Sequence, residues 1–204
     1  MCTLSVGNPS PLSDVEKGVR HNGLVVWLTG LPGSGKSTVA QIVSVNLRRQ
    51  GHKCIVLDGD VLRHGLCADL GYSVDDRNEN VRRVGEVAKL FCLEGTIVIV
   101  ALISPIREAR DRMRNLFAEG SFFEIYCKCP IEVCQARDPK GLYAQAAMGA
   151  IKEFTGVSAQ YEAPLKPELV LETAIQSSME SANLIEQLVQ RVCEGVLAGV
   201  KVDE

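Results

Sequence analysis

Gly30-Leu31-Pro32-Gly33-Ser34-Gly35-Lys36-Ser37-Thr38 is the stretch on which the rest of the chain is read. It meets the pattern G-x-x-x-x-G-K-[ST] at every defined position, follows the β-rich run Leu24 to Leu28 and leads into residues of helical spacing from Val39 to Arg49. Strand, glycine loop and helix in that order give the pattern its physical meaning. The glycines let backbone N–H groups turn inward onto phosphate oxygens, and the helix N-terminus adds partial positive charge. Lys36 has the reach to bridge β- and γ-phosphates, and the Ser37 hydroxyl suits Mg2+. The competing reading, a glycine-rich turn that merely links a strand to a helix, is weakened by both flanks being correct. The motif alone does not separate an ATPase, a GTPase and a small-molecule kinase.

Working outward, five short β-rich runs follow in order: Leu24 to Leu28, Cys54 to Leu57, Thr96 to Ala101, Phe122 to Cys127 and Leu169 to Leu171. Their nearly continuous apolar content suits parallel strands covered on both faces. Helical spacing lies between them at Ser37 to Arg49, Arg82 to Leu93, Arg107 to Leu116 and Ile131 to Arg137, and again at about Met179 to Leu197. Alternating strand and helix predicts an α/β fold, a doubly wound and mainly parallel five-stranded sheet carrying the phosphate loop. Residues 138–167 lack a clear strand and are rich in Gly, Ala and Pro, which marks them as the candidate lid. Residues 1–22 read as a flexible leader and 23–204 as one P-loop domain, with residues 138–167 as its lid.

Bulk properties narrow the function classes. A chain of 204 residues, 46% hydrophobic and 23% charged, fits one domain with a sizeable core. Its formal charge of -3 leaves no footprint for a polyanion such as nucleic acid, so phosphate binding must be local. The longest apolar stretch, Ile97 to Ile103, is far shorter than the roughly 20 residues of a membrane helix, and a soluble, cytoplasmic protein without a membrane partner is expected. The eight cysteines are scattered and several sit in apolar runs, which favours buried free thiols over disulfides. Cys127 and Cys129 share one face of a strand-like run, but the three histidines His21, His52 and His64 give a zinc site little support.

The second strand carries the other chemistry. Ile55-Val56-Leu57 runs into Asp58-Gly59-Asp60, two carboxylates at the carboxyl end of a strand, where ligands of open α/β sheets bind. The run Thr96 to Ala101 ends instead in Leu102-Ile103-Ser104, with no Walker B aspartate. Acid on the second strand points to a kinase that binds its acceptor there, with Asp60 taking a hydroxyl proton or holding Mg2+ through water. Either aspartate alternatively caps the short helix that follows. Arg63 falls one turn beyond Asp60; Asp75 or Asp76 can open a helix that sets Arg77 and Asn80 on one face. A guanidinium suits a sulfate or phosphate, and an amide suits a base or ribose edge.

These blocks, in order, resemble the adenylylsulfate kinase family from about Gly23 to Leu171. The matching residues are Trp27-Leu28-Thr29-Gly30-Leu31, Leu57-Asp58-Gly59-Asp60 with Arg63-His64-Gly65-Leu66, and Asp76-Arg77-Asn78-Glu79-Asn80 with Gly85-Glu86-Val87-Ala88-Lys89. Leu102-Ile103-Ser104-Pro105, Arg137-Asp138-Pro139-Lys140-Gly141-Leu142-Tyr143, Phe154-Thr155-Gly156 and Tyr161-Glu162-Ala163-Pro164 continue the series. The resemblance implies phosphorylation of the 3'-hydroxyl of adenosine 5'-phosphosulfate by ATP with Mg2+, a step of sulfate assimilation. It implies that Asp58, Asp60, Arg63, Arg77, Asn80, Ile103, Ser104 and Lys140 hold this acceptor and that Tyr72 and Phe154 sandwich its adenine. Gly30 to Thr38 and Arg137 would bind ATP, Ser37 and Asp60 the metal; Lys36, Asp60 and Ser104 are the candidate catalytic residues. Ser104 matches a serine described as a possible phosphoryl carrier, although direct in-line transfer needs no covalent intermediate. A homodimer, and a functional link to ATP sulfurylase, are also implied.

Departures from the family pattern fall on the lid and the acceptor side. The family usually has Phe at the position of Tyr72, an aromatic residue at Ile106 and a basic run after Gly-Leu-Tyr. Here that run is Ala144-Gln145-Ala146-Ala147-Met148, with Ala150 at a usually acidic position. Positive charge over the phosphates is reduced. Losing one charge-assisted contact of roughly 1.5 to 3 kcal/mol slows turnover about tenfold or more.

Overall fold

Val25, Val26, Trp27 and Leu28 are fully buried in β1 (Leu24–Thr29), the middle strand of the sheet. The computed structural model describes residues 23–151 and 153–195; the leader expected over 1–22 lies outside the described residues. The strands β2 (Cys54–Asp58), β3 (Ile97–Ala101), β4 (Phe122–Lys128) and β5 (Leu169–Glu172) complete a five-stranded sheet in the order β2-β3-β1-β4-β5. Every pairing is parallel, with Val26 opposite Ile99 on one side and Phe123 on the other. This sheet is the one the apolar runs predict, each strand within a residue of its expected bounds.

Because successive strand residues point to opposite faces, β1 feeds two cores. Leu24, Val26 and Leu28 pack against Val39, Val43 and Leu47 of α1 (Lys36–Arg49) and Ala182, Ile185 and Val189 of α7 (Ser178–Cys193). Val25 and Trp27 meet Val81, Val84 and Ala88 of α3 (Val74–Leu93) and Ala109 and Met113 of α4 (Arg107–Arg114) on the other face. Burial of apolar surface on both faces, at roughly 25 cal/mol per Å2, is what holds the two helical layers to the sheet. A smaller core joins Cys129, Cys134, Tyr143 and Phe154, with α5 (Ile131–Arg137) and α6 (Leu142–Ala147). The short α2 (Gly59–Leu62) follows β2 directly.

Two boundaries differ from the sequence reading. Helix α3 opens at Val74, eight residues before the apolar spacing that begins at Arg82 but within two of the opening expected at Asp75 or Asp76, and its cap is Ser73, whose hydroxyl accepts from the Asp76 backbone N–H at 3.2 Å. Its first two turns are mostly polar, so apolar spacing does not reveal them. The candidate lid contains the six-residue α6, whose first turn is tied to Asp138 through the backbone N–H groups of Tyr143 and Ala144. Helix α7 ends at Cys193, short of the expected Leu197: Glu194 is its C-cap and Gly195 turns away at φ 71°, while residues 196 and 197 lie outside the described residues. Among the described residues, no helix is long and apolar enough to cross a membrane.

All seven described cysteines are free; Cys67, Cys127, Cys129 and Cys134 are buried, and Cys2 lies outside the described residues. Burial pushes the thiols of Cys127 and Cys134 up to about 12. A raised thiol pKa keeps the unreactive protonated form at pH 8. Iodoacetamide at pH 8 is expected to leave Cys127 and Cys134 unmodified in the native protein and to alkylate both after denaturation, as read by peptide mass spectrometry. Ile99, fully buried in β3 against the α1 and α7 layer, supplies the stability test. Ile99→Ala is expected to lower unfolding free energy by about 2 to 5 kcal/mol in urea titration.

Candidate active site

At the carboxyl end of β1 the backbone leaves the sheet at Gly30, whose φ of 154° is open to glycine. A Cβ there would lie 2.6 Å from the Cys127 carbonyl oxygen, so the loop passes too close to β4 for any side chain. Gly35, at φ 93° in the left-handed region, caps α1 without a side-chain hydrogen bond. The first N–H groups of α1 therefore have no side chain competing for them at a positive helix end. This is the geometry of an anion cradle.

Lys36 is only 8% exposed. Its ammonium donates to the carbonyls of Gly30 at 2.9 Å and Leu31 at 2.7 Å, and to Ser34 Oγ at 3.3 Å. Burial pushes its pKa down, opposed in part by Cys127, Cys134, Asp60 and Asp58. A buried cation among neutral acceptors gains from an incoming anion.

Across the crevice, Asp58 and Asp60 divide two tasks that the sequence leaves open between them. Asp58 is the N-cap of α2, accepting from the Asp60 backbone N–H at 2.9 Å. The Asp60 carboxylate is free of capping and is ion-paired with Lys140, from the loop before α6. Arg63 donates to the carbonyls of Leu70 and Gly71, which lays its guanidinium 4.3 Å from the Tyr72 ring centroid. Arg77 donates to Tyr72 O at 2.8 Å and Glu153 O at 2.7 Å, joining α3 to the candidate lid. Asn80, also on α3, is buried with its Nδ2 unpartnered.

Ser104 follows β3 with φ 37°, in the left-handed region that non-glycine residues rarely adopt. It is 3% exposed, and its Oγ accepts from the Trp27 indole N–H at 3.1 Å. Arg137 donates to Thr173 O at 2.5 Å and to Cys129 Sγ at 3.6 Å from the last turn of α5. Phe154 is in the third core, edge-on to Tyr143 at 5.0 Å, while Tyr72 is 52% exposed.

One cavity of about 1140 Å3 gathers these groups. Its walls include Pro32, Gly33 and Gly35 to Thr38 from the loop, and every acceptor-side candidate: Asp58, Asp60, Arg63, Tyr72, Arg77, Asn80, Ile103, Ser104, Lys140 and Phe154. Arg137 lines it too. Gly30, Leu31 and Ser34 do not line it; their oxygens accept from Lys36. Ser37, Asp58 and Asp60 supply oxygen donors, the chemistry that a hard cation takes. No cluster of three His, Cys, Asp or Glu groups exists among the described residues, and Mg2+, held mostly by phosphate and water, needs none.

Sequence reasoning misses Thr155, Gln176 and Ser181, which line the same cavity and carry buried side-chain atoms without partners. Buried polar atoms are normally paired. Thr155 stands in the Phe154-Thr155-Gly156 block, which could have pointed to it, whereas Gln176 and Ser181, isolated in a turn and a first helical turn, carry no motif and give no signal.

The family model described as adenylylsulphate kinase matches residues 22–172. An adenylyl-sulfate kinase of Bacillus velezensis is 58% identical over 154 residues, 76% of this chain and 78% of the relative. The solved APS kinase of Mycobacterium tuberculosis, in complex with AMPPNP and APS, is 46% identical, with a TM-score of 0.80 over 83% of this chain and 98% of that one. A hexameric APS kinase from Thiobacillus denitrificans is 30% identical, with a TM-score of 0.64 over 88% of this chain and 31% of that one. The chain belongs to the adenylylsulphate kinase family.

Proposed function

We propose that the chain transfers the γ-phosphoryl group of ATP to the 3'-hydroxyl of adenosine 5'-phosphosulfate, giving ADP and 3'-phosphoadenosine 5'-phosphosulfate. The observation that carries this reading is one cavity lined both by Lys36 and Ser37 and by Asp60, Arg63, Arg77 and Asn80. Phosphoryl transfer asks for position and charge stabilisation more than for covalent chemistry. Lys36 and the loop N–H groups stabilise the transferring group. Asp60, held by Lys140, takes the proton of the 3'-hydroxyl, and Arg63 and Arg77 face the anionic end of the acceptor. Tyr72, half exposed with Arg63 and Arg77 at 4.3 and 5.6 Å from its ring centroid, offers aromatic surface for adenine, with Phe154 as a second apolar surface of the same cavity. Mg2+, at Ser37 and near Asp60, would neutralise charge on the β- and γ-phosphates. Ser104, with its Oγ committed to Trp27, serves this reading better as a rim of the acceptor pocket than as a phosphoryl carrier.

The same reading makes residues 138–167 a lid, the protein cytoplasmic and the assembly a homodimer; the hexameric relative shows that a member of this family self-associates. The link to ATP sulfurylase rests on the resemblance alone.

Purified protein with ATP, Mg2+ and adenosine 5'-phosphosulfate is expected to release ADP only when the acceptor is present. ADP release that ignores the acceptor overturns the reading. Lys36→Met is expected to lower kcat about 100-fold or more. Of the lid positions that lack a base, Gln145 is the one that lines the cavity. Gln145→Lys is therefore expected to raise kcat/KM about tenfold through one regained charge-assisted contact, measured by coupled ADP assay at fixed ionic strength.

A further inference from the structure

Arg110 on α4 is 1% exposed, among the largest fully buried side chains, and reaches none of the cavity. Its three donor nitrogens end on three separate elements. Nε donates to Glu124 Oε1 on β4 at 2.5 Å, Nη1 to the Ser104 carbonyl at 2.6 Å, and Nη2 to the Glu162 carbonyl at 2.7 Å. The first anchors the guanidinium to the sheet. The second holds a residue at φ 37°, a conformation that costs a non-glycine residue energy and persists only when its surroundings fix it. The third grips the return of the lid segment toward β5.

The same two loops are tied together around Arg110. Glu162 receives the Arg107 backbone N–H at 2.7 Å through Oε2 and donates its own N–H to Pro105 O at 2.9 Å. Arg107 donates to Ala163 O at 3.0 Å. The Tyr161 hydroxyl meets Thr29 Oγ1 at 3.0 Å, and Thr29 donates in turn to Ile103 O at 2.7 Å. Ile103 and Ser104 are thus fixed from β1, from α4 and from residues 161–163.

We propose that Arg110 is a positioning residue for the acceptor: its guanidinium fork sets the Ile103-Ser104 rim of the pocket and locks it to the returning lid segment at Tyr161-Glu162. The proposal rests on the reading that this rim holds the acceptor. None of the three bonds of Arg110 ends on the glycine loop, where the donor phosphates bind; the network meets that loop only through Thr29, the residue before Gly30.

The test is steady-state kinetics of Arg110→Lys and Tyr161→Phe, with thermal melting to confirm folding. A lysine keeps a cation for Glu124 but lacks the planar fork that reaches both carbonyls. Arg110→Lys is expected to raise the acceptor KM about tenfold or more with the ATP KM within twofold, and Tyr161→Phe to raise the acceptor KM about threefold. A purely structural role predicts a lower kcat in proportion to folded protein with both KM values unchanged, and that result overturns the proposal. If Arg110→Lys does not fold, the acceptor KM of Tyr161→Phe decides alone. If the wild-type protein shows no acceptor-dependent turnover, the kinase reading fails. Calorimetric titration of folded wild type and the same variants with adenosine 5'-phosphosulfate then decides the positioning role, unchanged affinity or no binding overturning it.

Discussion

The structure is organised around a buried ammonium that has no carboxylate bonded to it. Lys36 sits under the glycine loop with carbonyl and hydroxyl oxygens as its partners, and among the described residues no ion pair involves it. Taking a cation out of water costs several kcal/mol, and neutral acceptors offset only part of that cost. The fold holds the lysine there because the loop is pinned on both sides: Gly30 lies against β4, and Gly35 opens α1 in a left-handed turn. A protein that keeps a cation in this position is prepared for an anion, and the rest of the cavity determines which one.

That preparation explains what the sequence reveals and what it hides. The strands are legible because parallel strands covered on both faces are nearly continuous apolar runs, and no solvent-facing alternation confuses them. The start of α3 is legible only from the capping residues near Asp75 and Asp76, because its inner face there consists of Arg77 and Asn80, buried toward the cavity where a core helix would place Leu or Val. Periodicity in apolar residues fails where the inner surface is a binding surface. Asp58 and Asp60 are visible as a pair, but only coordinates separate the helix cap from the carboxylate facing Lys140.

The Arg110 system is hidden for a different reason. Along α4, Arg107-Glu108-Ala109-Arg110-Asp111-Arg112 looks like a solvated, salt-bridged helix surface, and for Arg112 with Glu108 that reading is right. Arg110 lies on the same helix yet is buried, and its partners are 6, 14 and 52 residues away. Long-range partners leave no local pattern. A buried pair such as Arg110 with Glu124 is weak evidence for stability, since desolvation cancels much of the attraction. Its persistence is better explained by the carbonyls that the same guanidinium holds, which belong to the pocket rim and to the segment returning to β5.

Strand order supplies the reason that two anionic ligands share one cleft. With β1 in the centre, the chain winds to β3 and β2 on one side and to β4 and β5 on the other. The crevice of a doubly wound sheet opens where the winding reverses, at the carboxyl ends of the strands. The glycine loop leaves β1 at that point. On one side, the ends of β2 and β3 deliver Asp58, Asp60, Ile103 and Ser104, while on the other, the residues after β4 and β5 deliver Arg137, Thr173 and Gln176 to the same cavity. Lys36 is reached from both halves. A reaction that joins a donor phosphate to an acceptor hydroxyl needs its charged group at the boundary between two sites, and the reversal of strand order puts the buried ammonium at that boundary.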